Sequence, residues 1–128
     1  MKLLLDTHVF LWAIADPARL SPAAREVLEN EDNSLWLSVV SLWEIAIKVQ
    51  AGKLQLPASE SYFREHLEKL GVERVLGIEA THIYALLILP VHHKDPFDRL
   101  LIAQCRVEKV TLVSADPVLS QYPIEVVW

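Results

Sequence analysis

Short apolar runs alternate with longer amphipathic stretches along the chain. Leu3-Leu4-Leu5 stands directly ahead of one carboxylate, so Lys2–Asp6 predicts a short buried strand that ends in Asp6. His8–Ala15 is apolar on more than one side and predicts a first helix, broken at Asp16-Pro17. Ser21-Pro22 opens a second helix, with serine as N-cap and proline in the first helical position, running to about Glu29. A polar turn over 30–34 leads to a second strand, Leu35–Val39. Ser41 then predicts the N-cap of a third helix, with Glu44 three residues on as its capping-box partner and Gly52 just past its end.

Ser59 or Ser61 opens an amphipathic helix, with Phe63, Leu67 and Leu70 at helical spacing and Gly71 at its close. Arg74–Ile78 predicts a third strand, and Ala80–Leu89 a strongly apolar helix stopped by Pro90. A loop over 91–95, rich in His, Lys and Asp, precedes a helix over Pro96–Val107. Thr111–Ser114 and Ile124–Trp128 predict the last two strands, with a turn at Asp116-Pro117 between them. Strands alternating with helices imply an α/β fold with a mostly parallel sheet and helices on both faces. No repeat, low-complexity tract or linker interrupts residues 1–128, so a single domain is expected.

Composition narrows the function. Hydrophobic residues are 52% and charged residues 23%, which excludes a disordered chain. The net charge of −5 excludes a generally basic surface for nucleic acid, so any such binding needs local basic residues or a bound cation. The single cysteine, Cys105, excludes an internal disulfide and is expected to pack in the core. Asp6 interrupts the first apolar run too early for an export signal, and no apolar run of about 18 residues exists. A cytoplasmic protein without membrane association is expected.

The acidic residues carry the chemistry. In open α/β sheets ligands bind at the carboxyl ends of the strands. Asp6 closes the first strand, Asp116 follows the fourth, and Glu44 starts the helix after the second. Asp95 and Asp98 compete at the start of the helix that feeds the fourth strand; Asp95, directly before Pro96, fits an N-cap. Two carboxylates about 4 Å apart repel by about 4 kcal/mol at an effective dielectric of 20. A cluster of such groups therefore calls for a cation, and hard Mg²⁺ or Mn²⁺ suits oxygen ligands. A cation so held favours phosphodiester hydrolysis. With three glycines and no glycine-rich phosphate loop, a nucleotide-driven or dinucleotide-dependent enzyme is excluded.

Four segments carry a family resemblance: Leu-Leu-Asp6-Thr7-His8, Ser41-Leu-Trp43-Glu44-Ile-Ala-Ile-Lys48, His93-Lys94-Asp95-Pro96-Phe97-Asp98-Arg99-Leu-Leu-Ile-Ala-Gln104, and Val-Ser114-Ala-Asp116-Pro117. In this order and spacing the chain resembles, over essentially its whole length, the PIN-domain ribonucleases, and among them the VapC-type toxins of toxin–antitoxin pairs. The resemblance implies a three-layer α/β/α fold around a five-stranded parallel sheet, with Asp6, Glu44, Asp98 and Asp116 as metal-binding acids and Thr7 and Ser114 as supporting hydroxyls. It implies a metal-dependent endoribonuclease acting on RNA, often structured RNA such as tRNA. It also implies a homodimer silenced by a small antitoxin.

Flanking residues have two readings each. Lys48 follows Glu44 at i, i+4, as an ion-pair partner or a groove residue. His93 and Lys94 belong to a solvated loop or contact RNA beside the metal. Arg99 contacts phosphate or pairs with Asp95. His8 is expected to pack or cap, and the tryptophans to serve core or interface. The rival functions are a PIN-like module that binds or regulates without catalysis, and a receiver-like signalling domain. The latter is disfavoured because Val75–Ile78 carries no phospho-acceptor aspartate.

Overall fold

The computed structural model describes residues 1–128. Five strands, β1 (Lys2–Leu5), β2 (Ser34–Ser38), β3 (Val72–Leu76), β4 (Thr111–Val113) and β5 (Val126–Val127), form one sheet in the order β3-β2-β1-β4-β5. Every pairing is parallel. The helices are α1 (Thr7–Ala15), α2 (Pro22–Glu29), α3 (Val39–Gln50), α4 (Glu60–Leu70), α5 (Ala80–Leu87) and α6 (Pro96–Glu108), with 3₁₀ turns at Pro17–Arg19 and Pro117–Gln121. None is long and apolar enough to cross a membrane.

The pleat divides the core in two. Leu4, Trp36 and Leu112 point to one face, where Leu100, Leu101 and Cys105 of α6 cover them. Leu3, Leu5, Leu35, Leu37 and Val113 point to the other, packed with Val9 and Phe10 of α1 and Ile45 of α3. Residues buried on both faces explain why these strands read as continuous apolar runs rather than alternating ones. Cys105 is buried as expected, and burial pushes its thiol well above the ordinary range.

Several element ends shift by a residue or two from the sequence reading, and two of the differences have a clear local cause. β3 begins at Val72, two residues early, because Gly71 takes a left-handed conformation (φ 79°) that ends α4 and turns straight into the strand. The cap of α3 is Ser38, not Ser41: the Ser38 hydroxyl accepts the Val40 N–H at 3.1 Å. β2 thus passes into α3 without a loop. Glu44 lies in the second turn, and the Ser41–Glu44 capping box does not form.

The strand order places β1 and β4 side by side although the chain first builds outward through β2 and β3. Their boundary is the topological switch point, where connections leave in opposite directions and open a crevice above the strand ends.

Candidate active site

Asp6 stands at that crevice. It occupies the N-cap position of α1, yet its side chain caps nothing. Instead Asp6 Oδ2 accepts the Ser114 hydroxyl at 2.7 Å. The same Ser114 oxygen accepts the Asp116 backbone N–H at 3.2 Å, tying the ends of β1 and β4 together. Asp6 is only 5% exposed, and its Oδ1 has no hydrogen-bond partner. Burial raises its pKa; the Ser114 hydrogen bond, the His8 charge and the Thr7 N–H oppose that rise, and the Glu44 charge adds to it.

Glu44 reaches the crevice from α3. It is 4% exposed, and its Oε1 is likewise buried without a partner. Its Oε2 accepts Lys48 Nζ at 2.9 Å, so the i, i+4 pair expected from sequence is present. The Thr7 hydroxyl does not touch an acid: it donates to Ser41 Oγ at 2.9 Å and braces α1 against α3.

At the start of α6 the two aspartates divide their tasks. Asp95 Oδ1 accepts the N–H groups of Phe97 (2.9 Å) and Asp98 (3.0 Å), which makes Asp95 the cap. Asp98 is left to the site. Burial, reinforced by the Asp6 and Asp95 charges, pushes its carboxyl up to about 7, against the pull of His93. Asp116 Oδ1 accepts the Val118 N–H at 3.0 Å, an Asx turn that leaves its second oxygen free. Asp6 and Asp116 share the wall of a cavity of about 420 Å³ with His8, Trp12 and Arg19.

The four expected acids therefore share one neighbourhood centred on Asp6. They do not form a ready-made cage, since no three His, Cys, Asp or Glu side chains converge tightly enough to hold a metal ion. The donor set still fits a cation of the Mg²⁺ kind. That ion keeps several waters and takes one or two carboxylates, and two buried carboxylate oxygens here have no other partner.

Lys94 keeps the solvated one of its two sequence readings, whereas Arg99, His8 and His93 depart from theirs. Arg99 does not pair with Asp95; its Nη1 donates to the Pro90 carbonyl at 2.9 Å and to the Tyr122 hydroxyl at 3.1 Å. His8 is exposed, tilted against the Trp12 ring, and does not pack in the core. Lys94 is exposed. His93 is fixed on both sides: Nδ1 lies 2.7 Å from the Tyr122 hydroxyl, and Nε2 lies 3.2 Å from Asp98 Oδ2.

Sequence reasoning missed Tyr122 and Gln104. Gln104 accepts the Ser38 hydroxyl at 2.6 Å and donates to the Gly77 carbonyl at 3.1 Å, locking the start of α3 to α6. Its signal was legible as a lone polar residue between Ala103 and Cys105 on a buried face.

Comparison with known proteins agrees with this fold. The PIN domain profile matches residues 3–125. Ribonuclease VapC22 of Mycobacterium tuberculosis (strain ATCC 25618 / H37Rv) is 32% identical over 115 residues, covering 88% of this chain and 85% of that protein. The fold is shared with VapBC2 from Rickettsia felis, solved bound to a DNA fragment from its promoter, at a TM-score of 0.72 and 17% identity over 98% of this chain and 97% of that one. FitAcB from Neisseria gonorrhoeae shares it at a TM-score of 0.61 and 18% identity, over 97% and 95% of the two chains. With the profile spanning nearly every residue and the relative matching along most of its length, this chain belongs to the PIN-domain family.

Proposed function

We propose that this chain is an endoribonuclease that hydrolyses RNA phosphodiester bonds with Mg²⁺ or Mn²⁺, and that it is the toxin of a toxin–antitoxin pair. The observation that carries the reading is the pair of buried, unpartnered oxygens, Asp6 Oδ1 and Glu44 Oε1, at the switch point of the sheet. Buried polar atoms are nearly always satisfied, so two orphans on neighbouring carboxylates call for a ligand that the protein alone does not provide.

Asp6, Glu44, Asp98 and Asp116 would hold the cation. When bound, it supplies charge to offset that building on the attacked phosphate and acidifies a coordinated water. The chain's own groups prepare for that state. Ser114 keeps Asp6 oriented and favours its charged form. Lys48 supplies counter-charge at Glu44. Asp95, by capping α6, leaves Asp98 free to face Asp6.

The partners follow the same reading. The structurally similar VapBC2 and FitAcB bear the names of two-component assemblies, and an antitoxin is proposed here by that analogy. A homodimer is supported by exposed apolar residues on and just after α5, Ile83, Tyr84, Leu87 and Ile88, which form a strip that water disfavours.

Asp6→Asn tests the catalytic reading. The variant should lose RNA cleavage in Mg²⁺ or Mn²⁺ while melting cooperatively, and Mn²⁺ titration of the wild type should give a saturable heat. A chain that binds no Mn²⁺ and cuts no RNA would be a binding module on the same fold.

A further inference from the structure

The geometry points to a phosphate-binding subsite at Arg19, on the rim of the carboxylate cavity, that takes a backbone phosphate of the RNA strand next to the one being cut. The inference rests on the ribonuclease reading above and names how the substrate is held.

A polyanion approaching this crevice meets four carboxylates on a chain of net charge −5. Without a nearby cation that is outside the metal cluster, the flanking phosphates are repelled. Arg19 is the arginine placed to provide it. It closes the 3₁₀ turn after α1 and lines the same cavity of about 420 Å³ as Asp6 and Asp116. Its guanidinium stands 4.6 Å from the centre of the Trp12 ring. Trp12 is itself braced by Trp128 at 5.6 Å and by His8 at 6.0 Å, so the platform under the guanidinium is fixed by other rings.

Held this way, the Arg19 guanidinium has no carboxylate partner and makes no hydrogen bond; the residue's backbone N–H donates to the Asp16 carbonyl. Lys48 is engaged by Glu44, Arg64 by Glu60, Lys69 by Glu65 and Arg99 by Pro90 and Tyr122. Arg74 is stacked in the same way, 4.5 Å over Trp36, but Arg19 is the arginine that lines the cavity of Asp6 and Asp116. Stacking orders the planar fork without using its five N–H donors. An ordered guanidinium with free donors matches a phosphate, which it can grip through two parallel hydrogen bonds. A second hollow of about 410 Å³ shares His8, Trp12 and Arg19; beyond them its charged lining is Lys48, Lys53 and one carboxylate, Asp16, among apolar residues, so its cations outnumber its acids. Arg19 thus stands on the ridge between the acids and a cationic extension, along the path a strand would follow out of the crevice. An acidic protein segment would meet the same cations; RNA is favoured because the ridge joins the catalytic acids, where a carboxylate-bearing segment gains nothing.

The test is RNA binding by fluorescence anisotropy, with a short labelled single strand, EDTA to prevent cutting, and a series of salt concentrations. Arg19→Gln, at an exposed position, should weaken binding about fivefold or more and lower the slope of log affinity against log salt by about 0.7, one phosphate's worth for single strands. Arg19→Lys should restore the slope but only part of the affinity, because a point charge lacks the fork. Unchanged affinity and slope in Arg19→Gln overturn the subsite, as does wild type that binds no RNA. Poly-glutamate binding as tightly as RNA, with equal dependence on Arg19, overturns it in favour of an acidic protein segment. A wild type that binds RNA through Arg19 yet cuts none with Mg²⁺ or Mn²⁺ retires the ribonuclease reading and leaves the phosphate contact standing.

Discussion

The Tyr122 hydroxyl lies 2.7 Å from His93 Nδ1, and this contact decides which nitrogen of His93 carries the proton. Three N–H groups converge on the Tyr122 oxygen: the backbones of His92 (3.1 Å) and His93 (3.2 Å) and Arg99 Nη1 (3.1 Å). The phenol's own proton is left with one acceptor, His93 Nδ1. The ring then presents Nε2–H to Asp98 Oδ2 at 3.2 Å. Tyr122 follows the 3₁₀ turn that Asp116 begins, so one short segment connects two of the proposed metal-binding acids.

Tyr122→Phe should therefore act on the site through His93. Removing the hydroxyl strands the His92 and His93 N–H groups, while Arg99 Nη1 keeps the Pro90 carbonyl, and it frees the imidazole to change tautomer. Loss of such supporting hydrogen bonds typically costs about 10–100-fold in metal affinity, and stranded buried donors cost about 1–3 kcal/mol of stability. Calorimetric titration with Mn²⁺ reads the first, and denaturant unfolding the second. Ring ¹⁵N shifts of His93 should report the Nε2–H form in wild type and a mixture in the variant. An unchanged tautomer and Mn²⁺ affinity would leave Tyr122 a packing residue only.

Ser114→Ala should weaken the site from the opposite side. The Ser114 hydroxyl is the hydrogen bond that favours ionised Asp6 against burial. Without it both Asp6 oxygens lack partners, and the carboxyl holds its proton to higher pH. The acid limb of the cleavage pH profile should move upward, with about 1–3 kcal/mol lost from stability of the metal-free protein. Ser114→Thr keeps the hydroxyl and should bring the limb back; a profile that ignores both changes removes Ser114 from the reaction.

Asp6, Asp95 and Asp116 were legible in sequence because each sits at a locally marked boundary, an apolar run that stops or a proline that starts a turn; Asp98 was told from Asp95 only by the family resemblance. Glu44 was identified but misplaced. Val39 reads as the end of the strand by β-branched propensity, yet packing of Val40 under the sheet draws both valines into α3, and the cap moves back from Ser41 to Ser38. Tyr122, Gln104 and Arg19 were missed for a different reason. Each acts on a partner remote in sequence or through a ring stack, as with Tyr122 and His93, 29 residues apart. No periodicity encodes such contacts; they exist only once the sheet order is set.

The pH dependence of the metal-free protein follows from Asp98 and Asp6. Asp98 titrates at about 7 when folded, against about 3.9 in an unfolded chain. Between those values the folded state holds a proton that the unfolded state has released, so the stability term is negative in slope. It is fully present below about pH 4 and is lost as pH rises through 7; Asp6 shifts in the same direction. Asp98→Asn should therefore lose less stability than wild type between about pH 5 and about pH 8 in EDTA, measured by chemical denaturation. Cations compete for the same oxygens. Mn²⁺ affinity should fall as pH drops below about 7, approaching about tenfold per pH unit for each proton displaced, with proton release visible in buffers of different ionisation enthalpy. Affinity independent of pH across that window would remove Asp98 from the ligand set.

Lys48 makes the last prediction, because it occupies the position of the missing charge at Glu44. Its Nζ is 2.9 Å from Glu44 Oε2, while Oε1 of this nearly buried carboxylate has no partner. Lys48→Met keeps the aliphatic stem and removes the charge. In EDTA the variant leaves a buried carboxylate uncompensated and should lose about 1–3 kcal/mol, at the low end because Lys48 is partly exposed. Adding Mn²⁺ returns a positive charge to the same carboxylates. The melting temperature of the variant should then rise more than that of wild type, and the gap between the two should narrow. Equal Mn²⁺-induced rises in both proteins would mean that Glu44 does not share the cation with Asp6, and that Lys48 is an ordinary helix ion pair.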